Sequence, residues 1–139
     1  MGAQMKSLDM AEILTEAYQL ADLILESEEA KRYLQLKERM NADSEVQKLL
    51  GEFRQKKEKF EEARRFGHYH PDYHAAKEEA ESFREKLARH PLIAEFLRAE
   101  EQLDRLLNEV SRTIAHAVSE SVKVPINDPQ PTKGRKCPG

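Results

Sequence analysis

Residues 64–73 read Arg64-Arg65-Phe66-Gly67-His68-Tyr69-His70-Pro71-Asp72-Tyr73, and how this stretch is read decides the fold. Glycine can take the left-handed conformation that ends a helix, and proline suits the first turn of the next one. The segment therefore reads as a helix reversal. Upstream, Val46, Leu49, Leu50, Phe53, Phe60 and Ala63 recur at helical intervals from an N-cap at Asp43 to about Phe66. Downstream, Tyr73, Ala76, Ala80, Phe83 and Leu87 alternate spacings of three and four, the pattern of a seam packed against another helix. Two such stripes joined by a short turn predict a long antiparallel helical hairpin. Lys56 and Lys57 interrupt the first stripe. That helix is therefore expected to be partly buried, with lysine stems lying over apolar neighbours.

Helical signals continue on both sides of the hairpin. From Ser7 to about Leu25, the residues Met10, Ile13, Leu14, Ala17, Tyr18, Ala21, Ile24 and Leu25 share one helical face. Ser27 can cap a second helix whose first turn holds Glu28 and Glu29, and whose core side would be Tyr33, Leu34 and Leu36 or Met40. After the hairpin, His90-Pro91 repeats the stop-and-start signal. Phe96, Ala99, Leu103, Leu106, Val110, Ile114 and Ala117 then carry the longest stripe to about Val118. Glutamates stand four residues ahead of a base at Glu28/Arg32, Glu52/Lys56, Glu61/Arg65, Glu85/Arg89 and Glu101/Arg105. Each such pair stabilises an isolated helix by about 0.2–0.5 kcal/mol. Beyond Lys123 come Pro125, Pro129, Pro131, Gly134, Pro138 and Gly139, too many breakers for a packed element, which predicts a disordered tail. The expected organisation is all-α: a helical bundle over residues 1–122 and a flexible Pro/Gly/Lys-rich tail over 123–139.

Composition narrows the function classes. A chain of 139 residues is long enough for one domain with a core and short for two. Charged residues form 35% of it and hydrophobic ones 39%, enough for amphipathic helices but lean for the apolar walls of a deep catalytic pocket. The formal charge of −3 divides unevenly. Lys123, Lys133, Arg135 and Lys136 against Asp128 give the tail +3, which leaves −6 on residues 1–122. An acidic body disfavours direct RNA or DNA binding, so the tail is the only candidate for it. No apolar run approaches the roughly 20 residues that span a bilayer, and no basic-then-apolar leader opens the chain. A cytoplasmic protein without membrane insertion is expected. The one cysteine, Cys137, cannot form an intramolecular disulfide.

Catalytic sets are hard to assemble from these residues. His70 and His74 stand four apart near His68 and Asp72, but no glutamate fills the catalytic position of a helical zinc motif, and they read as turn and surface histidines. Carboxylate pairs such as Glu61/Glu62, Glu78/Glu79 and Glu100/Glu101 fall on solvated helix faces, where acid–base catalysis has no contrast of environments to use. Ser111, Ser119 and Ser121 lack a strand-to-helix elbow. A non-enzymatic interaction protein is the expectation. Phe66, Tyr69 and Tyr73, with Pro71 between them, cluster at the turn. Aromatics at a helix tip either seal it or form an exposed anchor for a partner. Cys137 on a mobile tail could reach a metal or cluster shared with another subunit, although a four-iron cluster normally takes four thiolates.

The segment Arg64–Tyr73, the helix around Phe96 to Val118, and the ending Ala117-Val118-Ser119-Glu120-Ser121-Val122-Lys123-Val124-Pro125 resemble the YlbF branch of the YlbF/YmcA family over roughly residues 8–125. The resemblance implies a bacterial, helical, cytoplasmic protein that associates with YmcA-like and YaaT-like proteins in a complex assisting RNase Y. That complex serves messenger RNA processing and turnover, and through them competence, sporulation and biofilm formation. It also implies iron–sulfur clusters held by cysteines of the subunits. Tails of that branch hold several cysteines and this one holds Cys137 alone, so an implied ligand role, shared with partner subunits, falls to that residue. A different reading needs no second protein: the continuous stripe from Phe96 to Ala117 would suit a helical homo-oligomer, such as a dimer, acting as a scaffold.

Overall fold

The computed structural model describes residues 9–125, and the helices are α1 (Met10–Glu26), α2 (Glu28–Ala42), α3 (Ser44–Arg65), α4 (Tyr73–Arg89) and α5 (Pro91–Val118). The described residues contain no strand. Predicted helix starts at Ser27 and Asp43 are where the chain breaks: each residue ends one helix and caps the next. The Ser27 hydroxyl accepts from the Ala30 amide at 3.2 Å and donates to the Ile24 carbonyl. Asp43 Oδ1 accepts from the Val46 amide at 3.0 Å, and the Gln47 side chain donates to the Met40 carbonyl at 2.9 Å. Caps of this type are worth about 1 kcal/mol each. The first helix begins at Met10 behind an Asp9 cap. Ser7 and the tail residues 126–139, with Cys137, lie outside the described residues.

Stacked rings set the register of the hairpin. Phe53 lies over Phe83 at 6.4 Å between centroids with the planes 10° apart, and Phe60 meets Tyr73 at 5.5 Å. Later positions of α3 thus meet earlier positions of α4, as an antiparallel pair requires. Gly67, at φ 87°, makes the reversal, and its amide donates to the Arg64 carbonyl at 3.1 Å. Lys56 behaves as its place in the stripe suggests. Its stem runs over Phe83, with the ammonium 5.4 Å from the ring centroid, and it binds Glu79 of α4.

The core gathers Leu36 and Met40 of α2, Val46 of α3, Phe83 and Leu87 of α4, and Leu92, Ile93 and Ala99 of α5. Val46 is fully buried. Tyr33 closes one side against Phe96 at 5.3 Å, while Arg32 and Arg39 reach Glu95 at 3.3 and 3.8 Å. Arg32 thus leaves Glu28 for a partner on another helix, and Lys56 likewise leaves Glu52 for Glu79. Leu34, expected on the core side of α2, is instead 47% exposed. Ala30, Leu36 and Met40 hold the buried face of that helix, and Leu34 falls off it.

Two compact units divide the chain within α5, one running to Leu103 and one beginning at Asp104. All core residues named above belong to the first. In the second, Leu107, Ile114 and Val118 are exposed, and Leu106 and Val110 are half-buried. Helix α1 buries no residue at all. Its stripe was expected to pack, yet Met10, Leu14, Tyr18 and Leu25 are 55–72% exposed, and only Leu20 and Ile24 are half-covered. Among the described residues no helix is long and apolar enough to cross a membrane.

Candidate partner-binding site

Four residues at the turn were singled out by the sequence, and the structure parts them. Tyr73 is buried, its ring enclosed by Phe60, by His68 at 4.8 Å and by His74 at 5.2 Å, both edge-on. It seals the tip. Tyr69 is fully exposed, Phe66 is 71% exposed, and Pro71 is exposed beside them. These three are free to meet another protein. Pro71 does not open α4, because the chain first makes two tight turns, with the His70 amide donating to Gly67 and the Tyr73 amide to His70. The helix starts only at Tyr73.

A groove of ≈ 440 Å³ opens next to these aromatics, between the end of α3 and the start of α4. Ala63, Ala75 and Ala76 line it together with Phe66 and His70, whose rings are 5.5 Å apart. Glu62 and Asp72 stand at the same end, while Lys59 and Glu79 stand further along the helices. Glu79 is already engaged. The hydrogen bond and charge of Lys56 hold its carboxyl below the ordinary value of 4.5 against the opposing effect of desolvation, with a lesser contribution from Lys59. Asp72 is not engaged in the same way. Asp9, Ser27 and Asp43 all turn a side-chain oxygen onto their own helix, whereas Asp72 makes no such cap. The Asp72 amide donates to His70 Nδ1 at 3.2 Å, which fixes that imidazole against the turn.

Sequence reasoning identified the aromatic tip but not the groove. Ala75, Glu62 and Asp72 carry no signal individually, and the groove forms only where the end of α3, with Ala63, lies beside the start of α4, with Ala75 and Ala76. His70 and His74 do not share a helical face, since His70 precedes α4. Among the described residues no three His, Cys, Asp or Glu side chains are placed to hold a metal ion.

Residues 13–119 match the family described as Control of competence regulator ComK, YlbF/YmcA. The chain belongs to the YlbF/YmcA family. It is 38% identical to the Regulatory protein YlbF of Bacillus subtilis (strain 168) over 123 residues, covering 88% of this chain and 83% of that protein. A UPF0342 protein of Desulfitobacterium hafniense (strain Y51) is 30% identical over 117 residues, covering 84% of this chain and 92% of that protein. A chain in the crystal structure of Bacillus subtilis RicA in complex with RicF superimposes with a TM-score of 0.73 at 38% identity, covering 83% of this chain and all of that one. A YlbF/YmcA chain is thus similar both to a regulatory protein and to a subunit crystallised in a protein–protein complex.

Proposed function

We propose that the chain is a non-catalytic subunit of a YlbF–YmcA–YaaT-type complex that assists RNase Y in messenger RNA processing and turnover, and through it affects competence, sporulation and biofilm formation. The observation that carries this reading is the likeness to a whole chain of the RicA–RicF complex, held by a molecule whose α1 leaves a continuous apolar face uncovered. Contiguous exposed apolar faces are characteristic of surfaces that bury against other proteins. In this reading the catalysis belongs to the nuclease, and the chain acts in the cytoplasm.

Cys137 enters the proposal as one thiolate of an iron–sulfur cluster shared with partner subunits. The described residues contain no cysteine, so by themselves they do not fit such a group, and the remaining ligands would come from other chains. Coexpression with YmcA-like and YaaT-like proteins without oxygen, followed by copurification, tests the main proposal. A stable mixed complex is expected, and absence of association removes its support. Comparing cluster absorbance of that complex with its Cys137→Ser form tests the ligand separately, since unchanged absorbance excludes Cys137.

The exposed stripe of α1 also favours a second reading, a homo-oligomeric scaffold. Light scattering separates the two, because a homodimer indifferent to those partners supports the scaffold.

A further inference from the structure

We infer that the groove beside the hairpin turn takes an arginine side chain presented by a partner protein. The inference rests on the proposed role as an interaction subunit and names what one docking point recognises. The groove's small lining residues Ala63, Ala75 and Ala76 leave room for a long aliphatic stem, and the exposed ring of Phe66, set against His70, offers a face on which a planar guanidinium can stack. Two carboxylates at that end of the groove make no ion pair among the described residues, although Lys59 also lines the groove. Glu79 is answered by Lys56 and Lys59, whereas neither Glu62 nor Asp72 pairs with a base among the described residues. Asp72 holds the N-cap position of α4 with helical backbone angles, φ −89° and ψ −3°, unlike the extended Asp9, Ser27 and Asp43, so its side chain makes no cap hydrogen bond, and the residue lines the groove. Its carboxylate is therefore left as an acceptor for a forked donor. A lysine ammonium could also sit over the ring, but only the planar guanidinium can stack flat on it and fork its donors to a carboxylate at the same time, so arginine is the better match.

The full-length protein, labelled with ¹⁵N, is titrated with N-acetyl-arginine amide and, in parallel, with its uncharged isostere N-acetyl-citrulline amide. Expected are amide shifts confined to Phe66, Asp72, Ala75 and Ala76 with the arginine probe, and binding about fivefold weaker or absent with the citrulline probe. The Glu62→Gln/Asp72→Asn double variant, checked for native circular dichroism, should lose the response. Equal response to both probes, scattered shifts, or a response surviving in the variant overturns the inference. Tighter probe binding after Lys133→Gln, Arg135→Gln and Lys136→Gln in the full chain would identify its own tail as the occupant and overturn it too. Association with a YmcA-type protein is then measured for the same double variant. Weakening by about five- to tenfold supports a partner arginine, and unchanged association overturns it. If the native chain does not associate either, the proposed function fails and the titration alone decides the groove.

Discussion

Tyr69 and Tyr73 stand four residues apart at the hairpin tip, one wholly in solvent and the other packed among Phe60, His68 and His74. Their substitutions should therefore separate cleanly. Tyr73→Ala empties a packed site and is expected to cost about 3 kcal/mol, read as a lowered melting temperature. Tyr69→Ala should leave melting within about 0.5 kcal/mol of the native chain and weaken only partner association. Lost helicity in Tyr69→Ala would sink the assignment of that residue to a docking role. From the sequence, the aromatics at the turn were legible as a group, but their division was not. A four-residue spacing places two side chains on one face only inside a helix, and residues 70–72 lie outside one. The period that relates Tyr73 to Ala76 says nothing about Tyr69, and the same break separates His70 from His74.

Between elements, the ion pairs illustrate what a linear pattern conceals. Arg32 and Lys56 each have a glutamate four residues ahead, yet Arg32 bridges to Glu95 of α5 and Lys56 to Glu79 of α4. Sequence spacing sees the local partner, whereas the choice is made by helix packing, which places another carboxylate within reach. The Lys56 bond has a pH signature. Lys56 holds the Glu79 carboxyl below 4.5 in the folded chain, so its contribution to stability is fully present above that value and is lost as pH falls through the lowered one. The melting difference between the native chain and Glu79→Gln should be greatest near neutrality and close on acidification below 4.5. A difference that persists in acid would show that Gln acts by disturbing packing. Helix boundaries, by contrast, were largely readable, because Ser27, Asp43, Gly67 and His90-Pro91 mark them with local chemistry that acts without tertiary help.

Across the whole molecule, the core is concentrated in the unit that runs to Leu103, and apolar stripes on α1 and on the later part of α5 are left exposed. Both stripes were evident from their periodicity. Periodicity shows that a face is apolar, however, and not whether the same chain covers it. Leu14→Asp and Ile114→Asp replace residues that are 55% and 53% exposed, so each variant should melt within about 0.5 kcal/mol of the native chain when dilute. In assemblies the outcome should differ, with light scattering reporting a smaller particle for any variant whose face is used. If both variants keep the native particle mass, with or without partner proteins, neither stripe is an interface.

A helix with no fully buried residue has little to hold it closed. At 17 residues α1 is close to the length at which an isolated helix is marginal in water, so its hydrogen bonds should open far more often than those around Val46. Amide hydrogen exchange in the free protein should then be faster along Met10–Glu26 than in α2, α3 and α4, and slow sharply once the chain is assembled. Such a segment gives the unassembled subunit a short lifetime where proteases cut opened chain, and the amount of free subunit would then follow the supply of whatever covers α1.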